Sequence, residues 1–265
     1  MHASAALYWF GRRSHPRPFV LLHGFTGSPL SWQPVIDALP ASIAAVAVAL
    51  PGHHPGSPVV TGFEANLDTM AGALSSAGLR GCHLVGYSLG ARAALGLALR
   101  HPGLAAGLTL IGGHPGLDDA EERRQRVESD RAWTELLRHQ GLAAFLATWE
   151  AQPIFATQAQ ISPEALAWQQ RIRARHEPEA LARSLEQMGL GAMPGYGPRL
   201  AELDIPVTWI VGALDHKFLR LASTAMGLAR VDRPATLTVM PGSGHNVPLE
   251  RPRELAALLS ARASG

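Results

Sequence analysis

The chain has almost no lysine: Lys217 is the single one among 23 Lys and Arg residues in 265. The accompanying wealth of Ala, Gly, Arg and Pro reads as a coding bias, although that one lysine falls two residues past a candidate catalytic acid. Cysteine is equally scarce. Cys82 stands alone, which excludes an intrachain disulfide and any multi-cysteine metal site, and its apolar surroundings mark it as a packing residue. Net charge is small, 23 basic against 21 acidic side chains, so the sequence pI of about 9.1 comes from a slight excess and not from a basic tract. Nucleic acid is therefore not an expected partner. Long apolar runs are also missing, since Gly, Pro, Arg or His breaks each one well short of the ~20 residues a membrane helix needs. The N-terminal MHASAALYWFGRRSHPRP puts its apolar residues ahead of its arginines, the reverse of a secretory signal. The expectation is a cytoplasmic protein without a membrane partner, a monomer or small homo-oligomer.

What is present is enough apolar sequence, 47% of 265 residues, for one large α/β domain or for a core carrying an inserted cap. Short apolar runs alternate with helical patterns, the signature of a mostly parallel sheet with crossover helices. The runs are Phe19 to Leu22, Ile43 to Leu50, Cys82 to Tyr87, Leu108 to Gly112, Val207 to Gly212 and Thr236 to Met240. Each ends in a Gly- or Pro-containing turn, at the strand ends where open α/β sheets hold their ligands. From Pro115 to about Pro206 the strand signal vanishes and the text turns helical and charged. The division expected is a core of residues 1–115 and 206–265 with a helical cap over 116–205. There is no internal repeat and no low-complexity segment.

Gly86-Tyr87-Ser88-Leu89-Gly90 is a G-x-S-x-G sequence that follows a strand and opens the helix ARAALGLALR. That context defines a nucleophile elbow and with it an α/β-hydrolase fold. The flanking glycines leave room for a turn too tight for a Cβ, and the serine is held in a strained conformation at a helix N-terminus. A serine hydroxyl needs an imidazole to take its proton. Among twelve histidines, His245 in Gly242-Ser243-Gly244-His245-Asn246 follows the last strand and precedes the final helix. The acid belongs between them in chain order, after the penultimate strand, and Asp215 stands there. The catalytic triad read from the sequence is Ser88, Asp215 and His245. His23-Gly24-Phe25-Thr26-Gly27 follows the first strong strand, and the N–H groups of Phe25 and Leu89 are assigned to an oxyanion hole. His23 is read as a brace for that loop. His53 and His54 are adjacent but lack the carboxylates of a chelate, so no metal is expected. Arg92 stands four residues after Ser88, on the same helix face one turn along, as an anion contact or a solvated surface arginine. Arg126, Arg173 and Trp149 fall in the cap, where Arg126 has Asp130 at i+4 as an alternative partner.

Read together, LHGFTGS at 22–28 with Trp32, GYSLGAR at 86–92, HPGL at 114–117, RVESDRAW at 126–133, TWEAQPIF at 148–155, DHKF at 215–218 and GHN at 244–246 resemble the 2-succinyl-6-hydroxy-2,4-cyclohexadiene-1-carboxylate synthase family of menaquinone biosynthesis. The resemblance runs from about Val20 to Pro252. The hydrolase motifs in it are general; the arginine after the elbow, W-x-x-Q-P-[IV]-F and D-x-K-F are much narrower. It implies a cofactor-free lyase that eliminates pyruvate by abstracting a proton, with Ser88 as base through His245 and no acyl-enzyme. The partner implied is a small anionic polycarboxylate, anchored by Arg92, Arg126 and Arg173, with Tyr87 and Trp149 lining the ring pocket. Lys217 matches the family lysine, as a ligand contact or a fixer of its loop. Arg171 and Arg175 are alternatives to Arg173. Two departures stand out: the family's D-L-P-G-H-G-x-S loop is replaced by ALPGHHPGS at 49–57, expected beside the pocket, and Pro248 occupies a position that commonly holds a second histidine. Rivals built on the same residues are a carboxylic ester or C–C bond hydrolase with the same triad and, in another class, a ligand-sensing, non-catalytic α/β-hydrolase.

Overall fold

Apolar, β-branched runs such as FVLL and AVAV are buried on both faces, as parallel strands between two helix layers must be. The computed structural model describes residues 5–11, 17–230, 232 and 235–263; residues 1–4 and 12–16 of the N-terminal segment read above lie outside them. Seven strands, β1 (Leu7–Phe10), β2 (Phe19–Leu22), β3 (Ala45–Val48), β4 (Cys82–Tyr87), β5 (Ala105–Ile111), β6 (Val207–Gly212) and β7 (Thr236–Met240), form one sheet in the order β1-β3-β2-β4-β5-β6-β7. All pair in parallel except β1, which runs antiparallel on β3 with Leu7 opposite Val48 and Phe10 opposite Ala45. Six of these strands answer to the six apolar runs. The seventh, β1, is an edge strand whose LYWF is only partly buried, so neither a core run nor a clean alternation betrays it.

The helices are α1 (Gln33–Ile36), α2 (Phe63–Ser76), α3 (Leu89–Arg100), α4 (Ala120–Glu150), α5 (Pro163–Arg173), α6 (Pro178–Met188), α7 (His216–Met226), α8 (Val247–Glu250) and α9 (Pro252–Ala263). No helix among the described residues is long and apolar enough to cross a membrane. The elbow helix α3 is buried nearly along its length. Its alanines keep it thin enough to sit close to β4 and β5, while Leu89, Leu95, Leu97 and Leu99 each contribute roughly 1.5–3 kcal/mol of burial. Between β5 and β6 the chain runs through α4, α5 and α6. α4 starts at an Asp119 N-cap that accepts from the Glu122 N–H at 2.8 Å and is broken at Gly141, whose φ of 78° and ψ of 179° are not helical. A small apolar cluster of Leu137, Phe145, Leu181 and Ala182 joins α4 to α6, and Phe25 packs against it as well as against the main core. One side chain of the β2 loop is thus shared by the sheet and by the helices above it.

Candidate active site

The strand ends deliver the functional groups. β4 stops at Tyr87, and Ser88 takes φ 52° and ψ −108° before α3 begins, a strained conformation for a residue with a side chain that costs about 1–3 kcal/mol. Its neighbours have no room for anything larger than glycine. A Cβ on Gly86 would lie 2.2 Å from the Gly90 carbonyl oxygen, and one on Gly90 would lie 2.0 Å from that of Leu22. β6 leads to Asp215, which caps α7 by accepting from the Phe218 N–H at 3.3 Å with Oδ1. Its Oδ2 lies 2.7 Å from His245 Nδ1, and His245 Nε2 lies 3.1 Å from Ser88 Oγ. Asp215 and His245 are both buried. The carboxylate fixes the tautomer that leaves Nε2 free to take the serine proton.

Most of the residues that hold this line in place have no role assigned from the sequence. The His245 ring stands 4.4 Å from Phe218 and 5.4 Å from Tyr87, centroid to centroid. Gly112 backs it, where a Cβ would come within 2.8 Å of the ring. Buried Glu250 accepts from the N–H of Gly244 at 2.7 Å, from that of Asn246 at 3.2 Å and from Thr157 Oγ1 at 3.1 Å, so the N–H groups of the residues on either side of His245 are held by one carboxylate. Nothing in the text around Glu250 signals this, because its partners are two backbone groups and a threonine 93 positions away. Phe218 alone had a signal, as the last residue of D-x-K-F.

Ser88 opens into a cavity of about 530 Å³ whose wall includes Phe25, Leu89, Tyr87, Arg92, Arg126, Trp149, Arg173 and Lys217. Every residue assigned to the oxyanion hole or to substrate from the sequence lies on this one wall. Arg173 is there and is buried, whereas Arg171 and Arg175 are exposed. The three arginines differ in their partners. Arg126 pairs with Asp130 at 2.8 Å and Arg173 with Glu150 at 2.8 Å, while the only side-chain hydrogen bond of Arg92 among the described residues goes to the Met188 carbonyl at 3.0 Å. Burial, with the Arg126 cation adding to it and Asp130 opposing, pulls Arg92 down to about 9. An arriving carboxylate would reverse that penalty. Burial likewise pushes the Tyr87 phenol far above its ordinary range, against the pull of Arg173. Trp149 stacks on Phe145 at 5.4 Å and meets Phe25 edge-on at 5.3 Å. Its indole N–H is buried without a hydrogen-bond partner among the described residues.

The altered loop at 49–57 behaves differently from expectation. None of its residues is on the cavity wall. The added His54 meets Tyr8 at 5.8 Å and the hydroxyl of Ser57 accepts from the Ala6 N–H at 2.9 Å, so the extra length is taken up against the β1 side. Toward the cavity the loop acts indirectly, through His53 on Thr26 and the Leu50 N–H on His23. Pro248, by contrast, does line the cavity.

Fold and site together define an α/β-hydrolase-type protein with an assembled serine, histidine and aspartate line. The alpha/beta hydrolase family model matches residues 19–258. Within that class the chain is 36% identical over 246 residues to the 2-succinyl-6-hydroxy-2,4-cyclohexadiene-1-carboxylate synthase of Serratia proteamaculans, covering 92% of each chain. It is 34% identical to the enzyme of the same name from an Enterobacter species, over 91% of this chain and 89% of that one. The chain belongs to the 2-succinyl-6-hydroxy-2,4-cyclohexadiene-1-carboxylate synthase family of α/β-hydrolase-fold enzymes. The structure of MenH from S. aureus superposes with a TM-score of 0.89 at 23% identity, over 97% of both chains, a likeness that shows the fold.

Proposed function

We propose that the protein is a lyase of menaquinone biosynthesis that releases pyruvate from 2-succinyl-5-enolpyruvyl-6-hydroxy-3-cyclohexene-1-carboxylate. The product is 2-succinyl-6-hydroxy-2,4-cyclohexadiene-1-carboxylate. In that substrate the ring C2–H is α to the succinyl ketone and sits next to the C3=C4 double bond, with the leaving group on C5. His245 takes the Ser88 proton, and the serine oxygen takes the C2 proton. The C2 electron pair becomes the C2=C3 bond, the old double bond shifts to C4=C5, and the C5–O pair leaves with enolpyruvate, which gains a proton and tautomerises to pyruvate. Negative charge gathers on the ketone oxygen during proton removal, and the Phe25 and Leu89 N–H groups are our candidates for stabilising it. The ketone is the electron sink, and no water is consumed.

One observation carries this reading. Arg92, one turn along α3 from Ser88, is a half-buried cation without a carboxylate paired to it among the described residues. An esterase for neutral substrates has no use for that charge, whereas the proposed substrate brings three carboxylates to a wall holding three arginines. Asp215 is assigned to orienting His245, and Tyr87, Trp149 and Lys217 to the ring and its anionic arms. The test is pyruvate release, with diene absorbance, from the pathway precursor. Wild type is expected to release pyruvate rapidly, Ser88→Ala to lose at least about 10³-fold in kcat and Arg92→Ala to lose 10²-fold or more in kcat/KM. A wild-type protein that cleaves p-nitrophenyl esters but releases no pyruvate would overturn the assignment.

A further inference from the structure

Thr26, the residue after the candidate oxyanion donor Phe25, is buried and has φ 62°, a left-handed conformation that a threonine adopts only when its surroundings impose it. The imposing groups are two histidines from distant parts of the chain. The Thr26 N–H donates to His53 Nε2 at 3.2 Å. His53 donates from Nδ1 to the Pro51 carbonyl at 3.0 Å, which fixes Nε2 as the acceptor. On the other side, the Thr26 carbonyl accepts from His176 Nε2 at 3.0 Å. The His53 ring lies between His23 at 5.0 Å and His176 at 5.3 Å, edge to face with both, and against Phe25 at 5.5 Å. The two peptides that follow Phe25 are therefore both held, Phe25–Thr26 by His53 from the core and Thr26–Gly27 by His176 from the link between α5 and α6, and together they fix the backbone that carries the Phe25 N–H. That link starts from Arg173, one of the anchors proposed for a substrate carboxylate. Arg173, on the cavity wall, ends α5, and its carbonyl accepts from the His176 N–H at 3.4 Å. One short turn joins the cation that would meet a substrate carboxylate to the imidazole that holds the oxyanion loop.

We propose that His176 is a positioning residue for the reaction: it clips the helical segment above the cavity to the oxyanion loop, so that anion binding at Arg173 sets the Phe25 N–H for the developing charge. This rests on the reading of Phe25 as an oxyanion donor. His176 does not line the cavity, so its loss acts through Thr26. If it were only a core filler, replacement by a ring of similar size would cost nothing catalytically.

The experiment compares wild type, His176→Phe, which keeps the ring and loses the donor, and His176→Gln, whose side-chain amide can donate in place of Nε2. Pyruvate release is expected to show kcat at least tenfold lower in His176→Phe with KM within about twofold, and most of that loss restored in His176→Gln. Amide exchange over residues 23–27, read by mass spectrometry, is expected to be at least tenfold faster in His176→Phe and near wild type in His176→Gln. Added succinate should slow that exchange in wild type and not in His176→Phe. Equal kcat in wild type and His176→Phe, equal impairment of both variants, or exchange indifferent to the substitution would each overturn the clip. Because exchange needs no turnover, it tests the clip even if wild type releases no pyruvate, a result that would instead count against the lyase assignment alone.

Discussion

A methyl group at Gly90 would sit 2.0 Å from a backbone oxygen of β2, and backbone on that scale does not move aside as a flexible side chain would. Gly90→Ala is therefore expected to cost more than about 3 kcal/mol or to leave the protein insoluble. Gly72, exposed in α2 with open space around its missing Cβ, is the internal control: Gly72→Ala should raise the urea midpoint by about 0.5–1 kcal/mol of stability. Similar stabilities for both variants would mean that the elbow tolerates a side chain at Gly90. The same crowding explains why the elbow was legible in the sequence. Glycine at two fixed offsets from a serine, between a strand and a helix, is a local pattern with a local cause, and chain order then limited the choice of acid and base to the loops after β6 and β7. Glu250 and His176 acquire their partners only in three dimensions, chiefly through backbone groups that every residue possesses. No residue type at those positions announces such contacts, which is why they were missed.

At the scale of elements, α3 and α4 present arginines in opposite energetic states, and their removal should separate stability from function. Arg126 on α4 satisfies Asp130, a buried carboxylate already pushed above its ordinary value by burial. Arg126→Met should lower stability by about 2 kcal/mol through the orphaned acid as well as raise KM. Arg92 on α3 acts on Asp130 only through space and makes no ion pair among the described residues, so Arg92→Met should raise the melting temperature while kcat/KM collapses. Melting curves and kinetics of the two variants settle the matter, and a fall in melting temperature for Arg92→Met would show that its charge is compensated in the free protein. The element boundaries themselves were unevenly readable. Fully buried strands gave continuous apolar runs, but β1 at the sheet edge did not, and the break in α4 at Gly141 looks in the sequence like one more helical glycine because its φ and ψ come from the packing of the segments on either side.

Across the whole molecule, several histidines are folded into places where they remain neutral. Burial takes His23 down to about 3, and burial together with Arg92, Lys217 and Arg126 takes His114 to about 4; His53 is also well below its ordinary value, burial again being the main cause. In the unfolded chain each titrates near 6.5. Below that pH the unfolded state binds protons that the folded state refuses, so stability is complete above about pH 6.5 and falls by about 1.4 kcal/mol per pH unit for each such group until its folded value is reached. Urea midpoints should drop markedly between pH 7.5 and pH 5.0, and equal midpoints at the two pH values would show that these rings are protonated inside the fold.

The break at Gly141 falls between Arg126 and Trp149, so one cation and one aromatic ring of the cavity wall stand on separate segments of α4. Away from Trp133, which crosses the break to Trp149, and Glu150, which pairs with Arg173, substitutions in 142–149 reshape the surface that meets a ring while Arg126 keeps its place, and those near Arg126 do the reverse. A lineage could retune what its enzyme accepts one chemical feature at a time, and a single glycine supplies that modularity.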